Sequence, residues 1–430
     1  MLPVSMDNPL AHTHELRWLY IDFNSYFASV EQQLRPELRA RPVAVVPVET
    51  DSTCAIAASY EAKAFGIKTG TPIYEAKKKC PGLICVLANH EHYVEYHHRI
   101  IEEVNNHIPV SRVCSIDEVA CELMNNERSH ARTAEIAASI KRGLAQHVGE
   151  YIKCSIGVAP NRYLAKVATD MQKPDGFVTL LGNDILSRLM TLKLRDLPGI
   201  GYNMERRLYM AGIYDVKTLL SLPPKRMRAV WGSVWGEKMW YMLRGVELPD
   251  EETTRSTIGH SHVMAPELRA PERARYVARR LTLKAASRLR RMGYYASGFI
   301  LSARIENGSR LATERQCYRA QDSLTFLHLL DDAWQELMQN AGNIRIKKVS
   351  VGIHHLTQAG DLQAELFSQL PNIDLKKQAK AERMSHALDK INHRFGRDSI
   401  TLGMLPSQGR SFSGTKIAFT RIPDVEEFLE

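Results

Sequence analysis

The chain has 430 residues, of which 44% are hydrophobic and 24% are charged, and this composition is typical of a folded protein with several cores. The net charge of +9 favours an anionic partner, either nucleic acid or an anionic membrane surface. The seven cysteines form no CxxC pair, no signal peptide is evident, and no uncharged apolar run reaches the roughly 18 residues of a membrane span, so we expect a reduced, cytoplasmic protein with no membrane partner.

The first hundred or so residues alternate strand and helix patterns. An apolar run at 18–21 predicts a buried strand that ends at Asp22, and a β-rich run follows at 42–48. Helices are predicted over 59–65 and over 90–107, where apolar residues recur at helical spacing.

A hairpin and two further elements complete this layer. Two strands, a helix and another strand are predicted, in this order, at 110–115, 119–123, 133–148 and 152–158. Asp117 and Glu118 lie near the bend of the hairpin. The order strand, helix, hairpin, helix, strand is the pattern of a split βαβ layer with its helices on one face.

The second half of the chain changes character twice. Residues 184–245 are predicted to be helical, with a break at 198–201, which read PGIG. The acidic, proline-containing segment 246–256 predicts a linker. A second pattern, βαββαβ, follows over 257–356, and the residues after 356 show a looser pattern.

Asp22, Asp117 and Glu118 form a candidate metal site. The two ions of a phosphoryl-transfer site lie about 3.5–4 Å apart and need carboxylates from different segments. Magnesium prefers oxygen ligands of this kind. Neighbouring side chains of a regular strand point to opposite faces, so Asp117 and Glu118 share a metal pair only if a turn or bulge separates them. On residue type alone, an exposed acidic pair remains the commoner explanation.

Five segments resemble motifs of the Y-family, or translesion, DNA polymerases. They read IDFNSYFASVE at 21–31, YEAK at 60–63, SIDE at 115–118, SIGVAPN followed by LAK over 155–166, and KPDG at 173–176. With the later segments the resemblance covers roughly residues 17–356. It implies a template-directed, lesion-bypass DNA polymerase without proofreading.

The resemblance also implies a domain organisation. The fold expected is an α+β multidomain protein with the right-hand architecture of polymerases: a ferredoxin-like palm, small fingers, a helical thumb with a helix–hairpin–helix, and a βαββαβ little finger. The expected boundaries are 17–27 and 89–178 for the palm, 28–88 for the fingers, 179–245 for the thumb, 246–256 for the linker, 257–356 for the little finger, and 357–430 for a C-terminal tail.

The matching positions carry implied catalytic roles. Asp22, Asp117 and Glu118 would be catalytic ligands of two Mg²⁺ ions, and the carbonyl of Phe23 would be a backbone ligand. Phe27 would be a steric gate, because its ring leaves no room for a ribose 2′-hydroxyl and offers that hydroxyl no hydrogen bond.

Three further positions match contacts to the incoming deoxynucleoside triphosphate, namely Tyr60, Lys63 and Lys173. An ammonium group is a compact charge suited to phosphate. Lys63 stands where arginine is common in the family, and Asn24 stands where an acid is common, so the details of triphosphate binding depart from part of the family.

Two basic regions are predicted to bind primed DNA. Gly199 and Gly201 allow a tight turn, so the helix that follows offers backbone N–H groups to a phosphate without reading bases. The segment 267–320 is rich in lysine and arginine, and its first helix carries a basic face. This face consists of Arg273, Arg280, Lys284, Arg288 and Arg291.

Further partners and alternatives remain open at this stage. The segment QAELF resembles the short peptide by which polymerases bind a sliding clamp, through Gln363, Leu366 and Phe367. Accessory proteins of a mutagenesis complex and association with the nucleoid are also expected from the resemblance. The first alternative is a non-catalytic, polymerase-like adaptor that binds DNA and the clamp, and the second is a nucleotidyl cyclase with a palm-like fold.

Overall fold

The computed structural model describes residues 15–182, 184–250, 254–339, 344–361, 375–396, 399–403 and 422. The chain divides after Asp250 into two compact units, and this division falls within the predicted linker 246–256. No helix in the described part of the chain is both long enough and apolar enough to span a membrane.

The first unit contains eight labelled strands and eleven labelled helices. The strands are β1 (Trp18–Phe23), β2 (Val43–Val46), β3 (Ala57–Ala58), β4 (Ile84–Leu87), β5 (Arg112–Ser115), β6 (Glu118–Glu122), β7 (Cys154–Ala159) and β8 (Phe177–Thr179). The helices are α1 (Tyr26–Leu34), α2 (Tyr60–Ala64), α3 (Ile73–Lys79), α4 (His90–Asn105), α5 (His130–Gly143), α6 (Arg162–Met171), α7 (Asp184–Leu189), α8 (Tyr202–Met210), α9 (Val216–Ser221), α10 (Pro224–Trp231) and α11 (Val234–Met242).

A five-stranded sheet with the order β5-β6-β1-β7-β8 forms the palm. The central strand β1 is antiparallel to both β6 and β7, and β7 is parallel to β8. Every residue of β7 is buried, so both faces of the sheet are covered there. The split βαβ order expected from the sequence is confirmed, except that the predicted helix 133–148 is α5 followed by a π turn at Leu144–Val148.

Helix α6 packs against β7 and β1 and is positioned at its start by a side-chain cap. Asn161 Oδ1 accepts a hydrogen bond from the backbone N–H of Leu164 at 2.8 Å. The close approach needs Gly157 in β7, since a Cβ there would lie only 2.1 Å from the carbonyl oxygen of Ala165. Strand and helix backbones are therefore in direct contact beside the central strand.

The fingers contain a second sheet, of three strands in the order β3-β2-β4. The sequence predicts only the run that became β2, because β3 has two residues and is too short to show a pattern. Helix α2 begins after Ser59, whose Oγ accepts the N–H of Ala62 at 3.3 Å. An apolar cluster that includes Ile67 and Ile73 holds these elements together.

The thumb consists of the short helices α7 to α11. Its core includes Leu208, Leu219, Met227 and Met239, all essentially buried. Helix α10 begins at a proline, which fits the first helical position because the missing N–H has no helical partner there. The PGIG segment forms the turn directly before α8.

The second unit has the βαββαβ order that the sequence predicts. Its elements are β9 (Thr257–Val263), α12 (Pro271–Arg291), β10 (Tyr294–Ile305), β11 (Arg310–Ala320), α13 (Ser323–Gln339) and β12 (Ile346–Gln358), and after these comes α14 (Leu375–Phe395). The strands form one antiparallel sheet in the order β11-β10-β12-β9. Helices α12 and α13 pack against the sheet around Phe299, Val351 and Ile353.

The C-terminal region contains more structure than the sequence suggests. The prediction of a loose segment after residue 356 is wrong for α14, a helix of 21 residues. Asp389 of α14 forms two hydrogen bonds with Arg290 of α12, at 2.6 and 2.9 Å. Ser385 is buried, and its Oγ accepts the N–H of Ser323 at 3.0 Å. These contacts pack α14 against α12 and the start of α13.

Candidate active site

The pairing of β1 with β6 brings the predicted carboxylates to one edge of the palm sheet. Asp22 lies directly opposite Glu118 in the antiparallel register. Asp117 precedes β6 in a turn, and its carbonyl accepts the N–H of Phe23 at 2.8 Å. The turn that the sequence argument requires is therefore present, so neighbouring acidic side chains are not forced to opposite faces of a strand.

Each carboxylate has a polar partner. Asp22 Oδ2 lies 2.7 Å from the ammonium of Lys173, and Asp117 Oδ1 accepts a hydrogen bond from Ser115 at 2.6 Å. Glu118 forms an ion pair with Lys166. In the part of the chain that the structure describes, no three His, Cys, Asp or Glu side chains form a ready-made metal-binding group. The backbone gathers the carboxylates, while their side chains face these local partners.

Burial dominates the electrostatics of the site. It raises the pKa of Asp22 to about 6 against the lowering effect of Lys173, and it also raises the pKa of Asp117. Burial alone would lower the pKa of Lys173, but Asp22 and Asp170 together raise it. At neutral pH the Asp22–Lys173 pair is therefore charged, and the partly desolvated carboxylates favour a nearby cation.

The donor set suits magnesium. Asp22, Asp117, Glu118 and the Phe23 carbonyl offer only oxygen atoms, and they come from two neighbouring segments. Mg²⁺ binds through a few hard oxygen ligands and completes its shell with water and phosphate. The chemistry of these residues fits such an ion, whereas soft transition metals favour sulfur or imidazole.

A basic and aromatic group lies beside Asp22. The ammonium of Lys63 sits 4.4 Å from the centre of the Tyr60 ring. The pKa of Lys63 is lowered by burial and by the charge of Lys173, and the pKa of Tyr60 is raised chiefly by burial, with Lys173 and Asp22 also acting on it. Lys173 therefore contacts the carboxylate of Asp22 directly, while Lys63 and Tyr60 lie near enough to both for these charges to act on their pKa.

Phe27 is the second residue of α1 and is almost fully buried. Its ring stacks on Tyr93 of α4, with the centroids 4.3 Å apart and the planes within 12°. Tyr93 is fixed in turn, because its hydroxyl donates to Glu31 at 2.6 Å and its carbonyl accepts from Tyr26 at 2.6 Å. The predicted gate is thus held in one orientation by an aromatic stack.

Several residues of the site were not assigned roles from the sequence. Lys166 belongs to the LAK motif but carried no prediction, and it pairs with Glu118. Tyr20 also donates to Glu118, at 3.1 Å. Tyr93 supports Phe27 from a helix far along the chain. Each contact joins separate segments, and the sequence offers no local signal for it.

The PGIG turn has the backbone that a helix–hairpin–helix requires. Gly199 has a φ of 91°, in the left-handed region that favours glycine, and Gly201 precedes α8 without a side-chain cap. Trp235 lies beside this turn, with its Nε1 3.6 Å from where a Cβ on Gly199 would be. Trp235 is 46% exposed.

The residues of the predicted basic face of α12 lie in different environments. Arg273 is exposed and donates to the carbonyl of Glu267 at 2.8 Å. Arg280, Lys284 and Arg291 line a cavity of about 450 Å³ between α12 and α14. Because His386 and Asp389 of α14 line the same cavity, that helix lies close to part of the face that the sequence assigns to DNA. Arg288 is partly buried. Gln363, Leu366 and Phe367 of the predicted clamp peptide lie outside the described residues.

Three family models match the chain. The impB/mucB/samB family matches residues 21–170, and the C-terminal domain of that family matches residues 255–366. The thumb domain of DNA polymerase iota matches residues 195–247. These matches together cover well over half of the chain.

Similar proteins include several bacterial DNA polymerases IV. The enzyme of Moorella thermoacetica is 31% identical, over 88% of this chain and 93% of the relative. The enzyme of Pelotomaculum thermopropionicum is 30% identical, over 89% and 93%. That of Xanthomonas axonopodis pv. citri is 28% identical, over 83% and 99%.

Solved structures share the fold. A Y-family DNA polymerase chimera of Dbh and Dpo4 aligns with a TM-score of 0.67 and 23% identity, over 80% of this chain and 99% of the other. A post-insertion binary complex of Dbh DNA polymerase aligns with a TM-score of 0.51 and 23% identity, over 80% and 99%.

A palm with carboxylates gathered at one edge of its sheet, a helical thumb and a βαββαβ domain define a DNA-directed DNA polymerase of the translesion class. The chain belongs to the impB/mucB/samB family, which comprises Y-family polymerases related to DNA polymerase IV. Neither a non-catalytic adaptor nor a nucleotidyl cyclase is favoured by these matches.

Proposed function

We propose that this polymerase adds deoxynucleotides to a primer 3′-hydroxyl on damaged DNA at a site for two Mg²⁺ ions, held by Asp22, Asp117, Glu118 and the Phe23 carbonyl. The observation that carries the proposal is the β1–β6 register, which sets Asp22 opposite Glu118 with Asp117 in the adjoining turn. When bound, Mg²⁺ supplies positive charge to the phosphates and orients the reacting hydroxyl. Dbh DNA polymerase, which shares the fold, is described as an insertion ternary complex and as a post-insertion binary complex.

The acidic cluster is tested by a double substitution with a matched control. Asp117→Ala together with Glu118→Ala should abolish Mg²⁺-dependent primer extension, because the phosphates lose their charge-neutralising site. Glu122→Ala removes an exposed carboxylate from the other end of the same strand and should leave extension unchanged. Extension retained by the double variant would overturn the assignment.

The triphosphate is proposed to bind beside Asp22. Lys173, Lys63 and the hydroxyl of Tyr60 supply cationic and polar groups from two segments of the palm and fingers. Helix α1 begins without a side-chain hydrogen bond at its cap, so its first backbone N–H groups also favour an anion there. Positioning and charge, rather than covalent chemistry, are what the site contributes.

Phe27 is proposed to exclude ribonucleotides. A fixed aromatic ring under the sugar leaves a 2′-hydroxyl both crowded and without a hydrogen-bond partner. Phe27→Ala should therefore raise ribonucleotide insertion relative to deoxynucleotide insertion, measured as the ratio of kcat/KM. An unchanged ratio would refute the gate.

The thumb turn is proposed to hold duplex DNA by its backbone. The left-handed Gly199 and the uncapped start of α8 after Gly201 present N–H groups toward a phosphate. Binding of this kind does not read sequence and should weaken steeply with salt. Replacing Gly199 with a residue that has a Cβ would strain the turn, and it should weaken duplex binding without altering the chemical step.

The second unit has two candidate surfaces for binding DNA. The first surface is the basic face of α12, which the sequence assigns to DNA, and Lys284 is the residue of this face chosen for substitution. Away from α12 and α13, the sheet carries a row of small polar residues in register, Ser302, Ser350 and Ser261, which would let a phosphate backbone come close. Ser261→Glu and Lys284→Glu separate the two, since the variant that weakens binding to a primed template identifies the surface used.

Partners beyond DNA remain proposals from sequence. Deletion of residues 363–367 should reduce synthesis stimulated by a sliding clamp while sparing distributive synthesis. Equal stimulation of the deleted and intact chains would exclude a role for Gln363, Leu366 and Phe367. Accessory mutagenesis proteins and a cytoplasmic, nucleoid-associated location are proposed on the same basis.

A further inference from the structure

Asn24 connects three segments of the palm through its side chain. It is buried, with only 1% of its surface exposed. Its Nδ2 donates to the carbonyl of Asp22 at 3.3 Å and to Ser155 Oγ at 3.2 Å, and its Oδ1 accepts the N–H of Asp175 at 2.8 Å. The side chain therefore links the metal-binding end of β1, the strand β7 and the loop after α6.

The loop that Asn24 holds is the one that carries Lys173. Ser155 supports it at both ends, because its Oγ donates to the carbonyl of Gln172 at 3.1 Å and accepts the N–H of Gly176 at 3.3 Å. Lys141 donates to the carbonyl oxygens of Asp175 and Gly176, at 2.6 and 3.0 Å. The loop is thus fixed to the sheet mainly through its backbone. These backbone contacts set the direction in which the Lys173 side chain leaves the loop.

The Lys173 ammonium and the Asp22 carboxylate lie 2.7 Å apart. Asn24 contacts the backbone of both segments that carry them, at Asp22 and at Asp175. Buried side-chain networks in which every polar atom is satisfied set one geometry firmly. We propose that Asn24 is a positioning residue for nucleotide binding: it keeps the Lys173 loop in register with the Asp22–Phe23 segment, so that the ammonium and the metal-binding oxygens meet the same triphosphate. The inference rests on the proposed contact of Lys173 with the triphosphate.

Asn24 makes two sets of contacts, an acceptor arm to Asp175 and a donor arm to Asp22 and Ser155, and substitution can separate them. Asn24→Ala removes both the acceptor for Asp175 and the donors to Asp22 and Ser155. Asn24→Asp keeps an oxygen at the Oδ1 position, so it retains the arm that holds the loop, and it replaces the donors with a second oxygen that faces the Asp22 carbonyl and Ser155 Oγ. If the loop arm positions Lys173, the aspartate variant restores nucleotide binding that the alanine variant loses.

The test is steady-state primer extension with the full chain, in which kcat and the KM for a deoxynucleoside triphosphate are measured separately. Asn24→Ala should raise this KM about tenfold, which corresponds to about 1.4 kcal/mol, while the Kd for primed DNA stays unchanged. Asn24→Asp should return the KM to within about twofold of the original. Ser155→Ala, which loosens the same loop and leaves Asn24 in place, should raise the KM in the same direction by a smaller factor.

A double-variant cycle with Lys173→Ala decides whether Asn24 acts through Lys173. The double variant Asn24→Ala/Lys173→Ala should have the KM of Lys173→Ala alone, because the loop then has no ammonium to position. If the two effects multiply instead, or if Asn24→Ala lowers the melting temperature and kcat without raising KM, the inference is overturned and the role of Lys173 stands. A KM unaffected by Lys173→Ala would overturn the proposed triphosphate contact itself and the inference with it.

Discussion

The stack between Phe27 and Tyr93 would make the sugar selection proposed for Phe27 depend on a residue that need not touch the sugar. Tyr93 lies parallel to the gate ring at a centroid distance of 4.3 Å. Such a pair contributes about 0.5–1.5 kcal/mol beyond simple burial. Replacing Tyr93 with leucine keeps the site apolar but removes this stacking, so displacing Phe27 to admit a 2′-hydroxyl becomes easier by up to that amount.

We therefore expect Tyr93→Leu to lower discrimination against ribonucleotides by about two- to tenfold. The assay is single-nucleotide insertion on a primed template, in which kcat/KM is compared for a deoxynucleotide and the matching ribonucleotide. Phe27→Ala provides the upper limit, because it removes the ring altogether. The loss should appear chiefly as improved ribonucleotide insertion rather than poorer deoxynucleotide insertion.

Tyr93→Phe is the matched control. It keeps the stacked ring and removes only the hydroxyl that donates to the buried Glu31 at 2.6 Å. Glu31 Oε1 then loses this hydrogen bond, while Oε2 keeps Arg35, and the free energy of unfolding should fall by about 1–3 kcal/mol without a change in sugar discrimination. The reasoning is refuted if Tyr93→Leu folds and discriminates like the original, or if Tyr93→Phe loses as much discrimination as Tyr93→Leu.

Three further outcomes follow from particular positions. Burial lowers the pKa of His262 to about 4, so the unfolded chain binds an extra proton below pH 6.5 and stability falls as pH drops from 6.5 to 4. The free energy of unfolding, measured with urea at pH 5 and at pH 7, should differ by about 2 kcal/mol because of this residue. A His262→Gln variant that keeps the full difference would contradict the assignment. Gly157→Ala places a Cβ 2.1 Å from the carbonyl oxygen of Ala165 and should lower the free energy of unfolding by about 3 kcal/mol, whereas an unchanged urea midpoint would show that α6 can move away. Because the exposed Trp235 lies beside Gly199, duplex DNA should quench tryptophan fluorescence, and quenching of undiminished size in Trp235→Phe, which keeps the other four tryptophans, would contradict contact at this turn.

Elements with strong local patterns could be predicted from the sequence. The buried run before Asp22 became β1, and the βαββαβ order of the second unit was also predicted correctly. Both rely on short-range periodicity, which sequence reports directly. The carboxylate cluster was predicted mainly because the segments at 21–31 and 115–118 resemble polymerase motifs, and the register that sets Asp22 opposite Glu118 came only from the structure.

The remaining features depend on contacts between distant segments. β3 has two residues and exists only through its pairing with β2. The ring of Tyr93 meets Phe27 across more than sixty positions of sequence, and Asn24 meets Asp175 across 151. Helix α14 was missed because its apolar positions are few and its packing depends on buried polar contacts such as Asp389 with Arg290.

The lysines beside the carboxylates have a consequence for the order of binding. Lys173 balances the charge of Asp22, and Lys166 balances that of Glu118. A triphosphate that draws the Lys173 ammonium toward itself leaves Asp22 as a buried anion without its partner, which costs free energy until another cation arrives. Nucleotide and metal should therefore strengthen each other's binding by exchange of ionic partners, and this coupling is reciprocal. We therefore expect a site that holds nucleotide without metal to be the least favourable state.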